Sequence, residues 1–288
     1  MAQTDDEGRE QKLSHMRIVR HHDGDSFPAD DVAAREEPLE IRLNGVTLVY
    51  LMRLPGDDKL LAAGFCFSEG LIQDRKQIEL MQHCLDGDFA GMGSGAGGDS
   101  DAPAGPGNLV EIQAKLAEGM DRFREARIVR TGCGGADLER EVDLDGIDVE
   151  ADTAFSSQVI LAAPAALLAG QEIFRLSGGT HGAGIFDASG NMLVVMEDVG
   201  RHNAVDKVLG YLLMSGESRS DKGMILSGRL SYEMVLKAAR AGIPLVCSVS
   251  APTALGVQVG EKTGVTLVGF LRGTGFNVYT HPGRIRSG

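Results

Sequence analysis

From Thr180 to Phe270 short apolar runs alternate with amphipathic stretches about ten residues long, and this alternation restricts the fold more than any other feature of the chain. Thr180 to Asp187 and Asn191 to Met196 flank Ser189-Gly190 and read as strand, turn, strand. Arg201 to Met214 carries Val205, Val208, Leu209 and Leu212 at helical spacing. A buried strand at Gly223 to Leu226, a helix from Tyr232 to Ala241, a strand at Pro244 to Val249, a helix from Thr253 to Lys262 and a strand at Val265 to Phe270 follow. That order needs crossover helices and predicts a three-layer α/β domain, its sheet largely parallel, opened by an antiparallel hairpin and covered on both faces. The loops Ser227-Gly228-Arg229, Ser250-Ala251-Pro252-Thr253 and Leu271-Arg272-Gly273-Thr274 then gather at the carboxyl ends of the strands, where such sheets bind ligands.

The first half is less regular. Residues 1–36 are polar, charged and aperiodic, which predicts a disordered leader. Leu39 to Leu43 alternates, Asn44-Gly45 supplies a type I′ turn and Val46 to Tyr50 returns, the signature of a hairpin. Pro55-Gly56-Asp57-Asp58 breaks that strand and caps a helix from about Lys59, with Leu60, Leu61, Gly64, Phe65 and Phe67 on its apolar side and Gly70 as its stop. Residues 86–107, dense in Gly, Ala, Asp, Ser and Pro, have little to bury and read as a disordered surface insertion. The expected division is a leader (1–36), a smaller N-terminal α+β domain (37–150) and a C-terminal α/β domain (151–288).

Composition narrows the function. The 288 residues carry 28 Lys plus Arg against 41 Asp plus Glu, a formal net charge of −13, which is the wrong sign for a protein that coats nucleic acid. An anionic ligand must then meet a local basic or backbone-amide site, which favours a small phosphorylated molecule over a polymer. No apolar run reaches membrane-spanning length and no export signal opens the chain, so a cytoplasmic protein without a membrane partner is expected. Cys66, Cys84, Cys133 and Cys247 lack the spacing of a zinc finger or a disulfide framework, which fits a reducing compartment. Cys133 stands apart, because Thr131-Gly132-Cys133-Gly134-Gly135-Ala136 embeds it in glycine just after the strand-like run Arg127 to Arg130. Glycines make a mobile arm that can carry a sulfur between sites, whereas a buried structural thiol would have apolar neighbours. Only a few per cent of an ordinary thiol is ionised at neutral pH; a cation such as Arg130 favours the thiolate and the Asp137 carboxylate opposes it.

The densest polar cluster runs from Glu197 to Lys207. Gly200 permits a tight entry into a helix whose first turn holds Arg201, His202 and Asn203, where free amides and the positive dipole end attract phosphate or carboxylate. A plain N-terminal cap decorated with surface charge is the competing explanation. His181, on the incoming strand, is a second polar residue able to face the same cleft, though a lone strand histidine is more often a hydrogen-bonded core residue. The order hairpin, helix, strand, helix is also that of the zinc nucleoside deaminases, which need a His or Cys beside a catalytic Glu on the first helix and Pro-Cys-x-x-Cys at the second. Here the first helix offers His202-Asn203-Ala204 and the second opens with Ser227-Gly228-Arg229-Leu230-Ser231, so the expectation is that fold without zinc.

Several of these blocks together resemble the FdhD family of formate dehydrogenase accessory sulfurtransferases. They are Glu197 to Lys207, Ser227-Gly228-Arg229 with Ser231-Tyr232-Glu233-Met234, Val249 to Leu255, and Phe276 to Pro282. In the first half Glu37-Pro38-Leu39, Leu51-Met52-Arg53, Pro55-Gly56-Asp57-Asp58 and Gly64-Phe65 with Glu69-Gly70 extend the likeness, which covers about residues 36 to 285 apart from the Gly-rich insertion. The resemblance implies a cytoplasmic homodimer with a cytidine-deaminase-like C-terminal domain. It also implies a reaction: persulfide sulfur is taken from a cysteine desulfurase and passed to the molybdenum of a bis(molybdopterin guanine dinucleotide) cofactor, the bound substrate, before insertion into formate dehydrogenase.

The family's sulfur-carrying cysteine lies in a Cys-Gly-x-Cys-Gly loop, and Cys133-Gly134 matches its first half. Ala136 stands where the second cysteine would be and Asp137 where the next glycine would be, so this loop has no second thiol for a handover. The resemblance further implies cofactor binding at Phe270, Leu271, Arg272, Gly273, Thr274 and Gly275, and the residue types suit it. A ring stacks on guanine, Arg272 grips a pyrophosphate and glycines let amides approach phosphate. Arg201, His202, Asn203 and Arg229 are expected to orient the phosphates. Two other classes are kept: a cofactor-binding chaperone without sulfur transfer, favoured by Ala136, and a redox-sensing thiol protein without guanine-nucleotide affinity.

Overall fold

The computed structural model describes residues 8–84, 108–116, 144 and 146–287. Cys133 and the expected 86–107 insertion lie outside these residues.

Two hairpins open the chain. Strands β1 (Leu13–His22) and β2 (Asp25–Ala34) pair over ten rungs from Leu13 with Ala34 to His22 with Asp25. This corrects the expectation of a disordered leader for the part from Leu13 onward. Asp23 and Gly24 hold φ of 51° and 91°, the left-handed pair that a type I′ turn requires. Burial is confined to the root, where Leu13 packs with Leu54 and Ile173. The second hairpin, β3 (Glu37–Leu43) and β4 (Val46–Arg53), turns as its sequence predicts at Asn44 and Gly45, φ 50° and 78°. Strands β5 (Ile78–Cys84) and β6 (Leu109–Ala114) join it to give a four-stranded sheet in the order β4-β3-β6-β5.

Helix α1 (Asp58–Ser68) lies on that sheet and crosses α4 (Arg201–Ser215) at very short range. A methyl group on Gly64 would stand 1.7 Å from the Asp206 carbonyl oxygen, and one on Gly210 2.0 Å from that of Leu60. The backbones therefore touch, and only glycine permits it. Polar side chains lock the same crossing: Lys237 Nζ donates to both Asp206 carboxylate oxygens at 2.9 and 3.0 Å and to Ser68 Oγ at 2.8 Å, all buried.

The large sheet has the order β13-β12-β11-β10-β8-β9. Its strands are β8 (His181–Asp187), β9 (Met192–Asp198), β10 (Lys222–Leu226), β11 (Leu245–Ser248), β12 (Thr266–Arg272) and β13 (Gly275–Val278), while the two-residue β7 (Phe155–Ser156) pairs outside it with Ile285 and Arg286. The elements from β8 to β12 fall where the periodicity puts them and β13 is an addition to it, but the sheet is mixed: β10, β11 and β12 are parallel, while β8/β9, β8/β10 and β12/β13 are antiparallel. The reason is that α4 carries the chain from β9 across β8, so that β10 settles beside the strand running the other way. One face is covered by α4, α5 (Tyr232–Arg240) and α6 (Ala254–Thr263), the other by α2 (Ser157–Gly170), which the short α3 (Glu172–Ser177) follows. Ala183, Ile185, Met224, Leu226 and Val246 belong to the first core, and Phe186, Ile225, Leu245, Cys247 and Val268 to the second, the period-two alternation of a sheet buried on both sides. The first core continues without a break through α1 into Leu39, Ile41, Val110 and Ile112 of the small sheet. Among the described residues no helix is long and apolar enough to cross a membrane.

Candidate functional site

The carboxyl ends of β10, β11 and β12 form one continuous edge, held by hydrogen bonds from loop to loop. Ser248 Oγ donates to the Gly228 carbonyl at 2.5 Å, Leu230 N to Ala251 at 3.1 Å, and Phe270 N to Ser250 at 2.9 Å. Arg272 Nε reaches Val249 O at 2.6 Å. The three loops picked out from the sequence are thus physically joined. Because β8 runs antiparallel to β10, its amino end arrives at the same edge. Ser227 N donates to Gly182 O and Gly182 N to Ser227 Oγ, each at 2.9 Å.

A cleft opens there between β8, α4 and the loop after β10, lined by His181, Arg201, Ser227, Gly228 and Arg229 with Val205 and Met234 at its apolar side. A methyl group on Gly228 would stand 3.8 Å from both Arg201 Cδ and His181 Nδ1. Arg201 Nε is buried with no hydrogen-bond partner among the described residues, an unmet donor inside a basic cleft. His181 Nδ1 lies 3.5 Å from Ser227 Oγ. Burial first, then the charges of Arg201 and His202, push the His181 imidazole below its ordinary value, with Asp198 opposing, so the neutral ring is favoured.

The other two residues of the α4 first turn have different partners. His202 Nε2 donates to Glu233 Oε2 of α5 at 2.5 Å, and this bond is the main reason the Glu233 carboxyl sits below its ordinary value. Asn203 is buried and its Nδ2 donates to Met52 O at 2.8 Å and Asp198 Oδ1 at 2.9 Å. Asp198 in turn accepts from Gly200 N and Leu54 N and pairs with Lys207 Nζ at 2.8 Å, both side chains sealed from solvent. Asp198, Asn203 and Lys207 therefore fix where α4 begins, and Arg201 is the first-turn side chain that lines the cleft.

Around Phe270 to Gly275 the backbone makes a tight reversal. Phe270 is exposed and, unusually for an aromatic residue, has φ of 51°, with Gly273 also left-handed at 56°. Arg272, Gly273, Thr274 and Gly275 are exposed, whereas Leu271 is buried in the second core and supports the edge from beneath. The Arg272 bond to Val249 uses Nε and leaves the paired terminal nitrogens of the guanidinium, the fork suited to phosphate, outside that bond. Ser227 is the residue that sequence reading undervalued. Its loop was visible, but its tie to Gly182 and His181 depends on the antiparallel docking of β8, which no local pattern encodes.

Among the described cysteines, Cys66 and Cys247 are fully buried, and burial pushes both thiols far above their ordinary value, for Cys66 with help from Asp206 and Glu69. They are core groups. The expected sulfur-bearing Cys133 lies outside the described residues.

Comparison with known proteins gives a consistent result. The chain is 39% identical over 278 residues to the sulfur carrier protein FdhD of Sulfurisphaera tokodaii and 35% identical over 279 residues to that of Sulfolobus acidocaldarius, in each case covering 95% of this chain and 99% of the relative. The crystal structure of a protein from Desulfotalea psychrophila, assigned as a formate dehydrogenase accessory protein, superposes with a TM-score of 0.72 at 27% identity, covering 95% of this chain and 99% of that one. Residues 34–286, which include both sheets, the cleft and the Phe270 reversal, match the FdhD/NarQ family, and the chain belongs to it.

Proposed function

We propose that this protein is a sulfurtransferase serving formate dehydrogenase, which carries persulfide sulfur on Cys133 from a cysteine desulfurase to the molybdenum of a bis(molybdopterin guanine dinucleotide) substrate. The observation that carries this reading is the near full-length likeness to sulfur carrier proteins, in a chain whose Cys133 sits alone among glycines. In the loading step the Cys133 thiolate attacks the outer sulfur of the donor persulfide. A new S–S bond forms, the donor's S–S bond breaks and the donor cysteine leaves as thiolate, with no net redox change. In the delivery step the S–S bond of the Cys133 persulfide breaks, Cys133 is released as thiolate and the outer sulfur becomes a sulfido ligand of the substrate, the two electrons required coming from the reduced molybdenum centre or a thiol reductant.

The edge built by Arg201, Arg229, Phe270, Arg272 and Gly273 supports the other half of the reading. Two cleft arginines that form no ion pair among the described residues, an exposed ring and a backbone reversal suit the phosphates and guanine of the cofactor's nucleotide end. Arg201 and Arg229 are assigned to the phosphates, and Phe270 to Gly275 to the guanine side. His202 and Asn203 act indirectly, by setting the angle at which α4 presents Arg201. The order of strands in the large sheet supports a deaminase-like domain, and the proposal assigns it no zinc. A cytoplasmic homodimer is part of the proposal.

The test is the intact mass of the protein and of Cys133→Ala after incubation with a cysteine desulfurase, cysteine and pyridoxal phosphate. One added sulfur, removable by a thiol reductant and absent from the variant, is expected. No added sulfur on either protein, with the desulfurase active, would turn the assignment to a cofactor-binding chaperone, the reading that Ala136 in place of a second loop cysteine favours.

A further inference from the structure

We propose that His181 is the proton-taking member of the phosphate cleft: it pairs with Ser227 as a neutral ring in the free protein and becomes an imidazolium donor when an anion is held beside Arg201 and Arg229. A phosphorylated ligand then binds with uptake of a proton. This rests on the reading that the cleft receives the phosphates of a guanine dinucleotide.

The argument begins with what surrounds the ring. From α4, Arg201 and His202 face it; from β9, its strand partner Asp198; from the loop after β10, Ser227 and Arg229; from α5, the thioether of Met234, with Glu233 behind His202. The carboxylates are already occupied. Asp198 is fully buried and bonded to Lys207, Asn203, Gly200 and Leu54, and Glu233 is bonded to His202. The charged groups that face the cleft's free space are therefore cationic, and in the absence of ligand a further positive charge on His181 is opposed by burial and by these neighbours. An oxyanion entering between the guanidinium groups reverses that field. Its negative charge cancels the repulsion from Arg201, and its oxygen offers the protonated ring an acceptor that Ser227 Oγ at 3.5 Å only weakly provides. The proton comes from solvent and stays on the ring while the anion is bound. Binding and protonation are linked, so each must promote the other.

The probe should be an anion that does not itself titrate. Diguanosine 5′,5′-diphosphate fits, because each of its phosphates carries one ester and one anhydride link and so remains singly charged across the neutral range. Calorimetry of its binding, in two buffers of different ionisation enthalpy, counts the protons taken up. The expected result is net proton uptake near neutral pH and affinity roughly fivefold tighter at about pH 5.5 than at about pH 8, as a one-unit rise in the ring's pKa gives over that range. In His181→Gln both the uptake and the low-pH gain vanish. Histidine-labelled NMR of the unmodified protein reads the same shift at the His181 ring directly, whether or not the variant folds. Binding without proton uptake, or uptake that persists in His181→Gln, overturns the role of His181 and leaves the cleft as a phosphate site. Failure of the probe to bind at any pH overturns the phosphate reading itself and this inference with it.

Discussion

His202 and Glu233 illustrate how one bond decides what a residue is for. On the sequence His202 stands beside Arg201 in the same helical turn and invites the same role, yet its ring is bonded to a carboxylate thirty-one positions away on another helix. Position in a turn was legible, because Gly200 and the apolar spacing after it mark the start of α4. The direction of each side chain was not, because it depends on Glu233, Met52 and Asp198, which arrive only with the tertiary fold. A pH signature follows. The Glu233 carboxyl is held below its unfolded value near 4.5, so its contribution to stability is present above that pH and is lost as pH falls through the lower, folded-state value. Both side chains are partly exposed, which limits the pair to about 1 kcal/mol or less. Glu233→Gln is therefore expected to lower the urea midpoint slightly at about pH 6, with the gap to the parent protein narrowing toward about pH 4. A gap that widens on acidification would contradict the pairing.

Among the elements, those with a clean period were placed correctly, from the Asn44-Gly45 hairpin to β12. Two were not. The β1–β2 hairpin was missed because its strands carry Arg17, Arg20, Asp30 and Asp31 among their apolar residues and bury little, although Asp23-Gly24 is the same kind of turn signal as Asn44-Gly45. Helix α2 was missed because Ala, Leu and Ile surround it on most sides and Pro164 lies within it, which blurs a 3.6-residue stripe. The α1–α4 crossing was also invisible, since a glycine in a helix reads only as a weak position until its neighbour is known. Its consequence is testable. In Gly64→Ala the new methyl group collides with main chain that cannot rotate away, so the helices must separate. A loss of about 1–3 kcal/mol is expected by urea unfolding, against a small gain if position 64 were merely a helical glycine exposed to solvent. A more stable variant would show that the helices do not meet this closely.

At the scale of the molecule the sequence suggested two units, residues 37–150 and 151–288, while the hydrophobic contacts form one body through α1 and α4. The small sheet has no separate core to melt around. Heat unfolding is accordingly expected as one calorimetric transition whose van't Hoff and measured enthalpies agree, and two resolved peaks would refute that coupling. The continuous core has a further meaning during synthesis. When β6 leaves the ribosome, the apolar side of α1 that will meet α4 has nothing to rest on, and α4 begins about ninety residues further on, several seconds at about 5–20 residues per second. Through that interval the apolar side chains of α1 that join the shared core wait without the larger part of that core, so the first half of this chain stays exposed to off-pathway association until α4 is made.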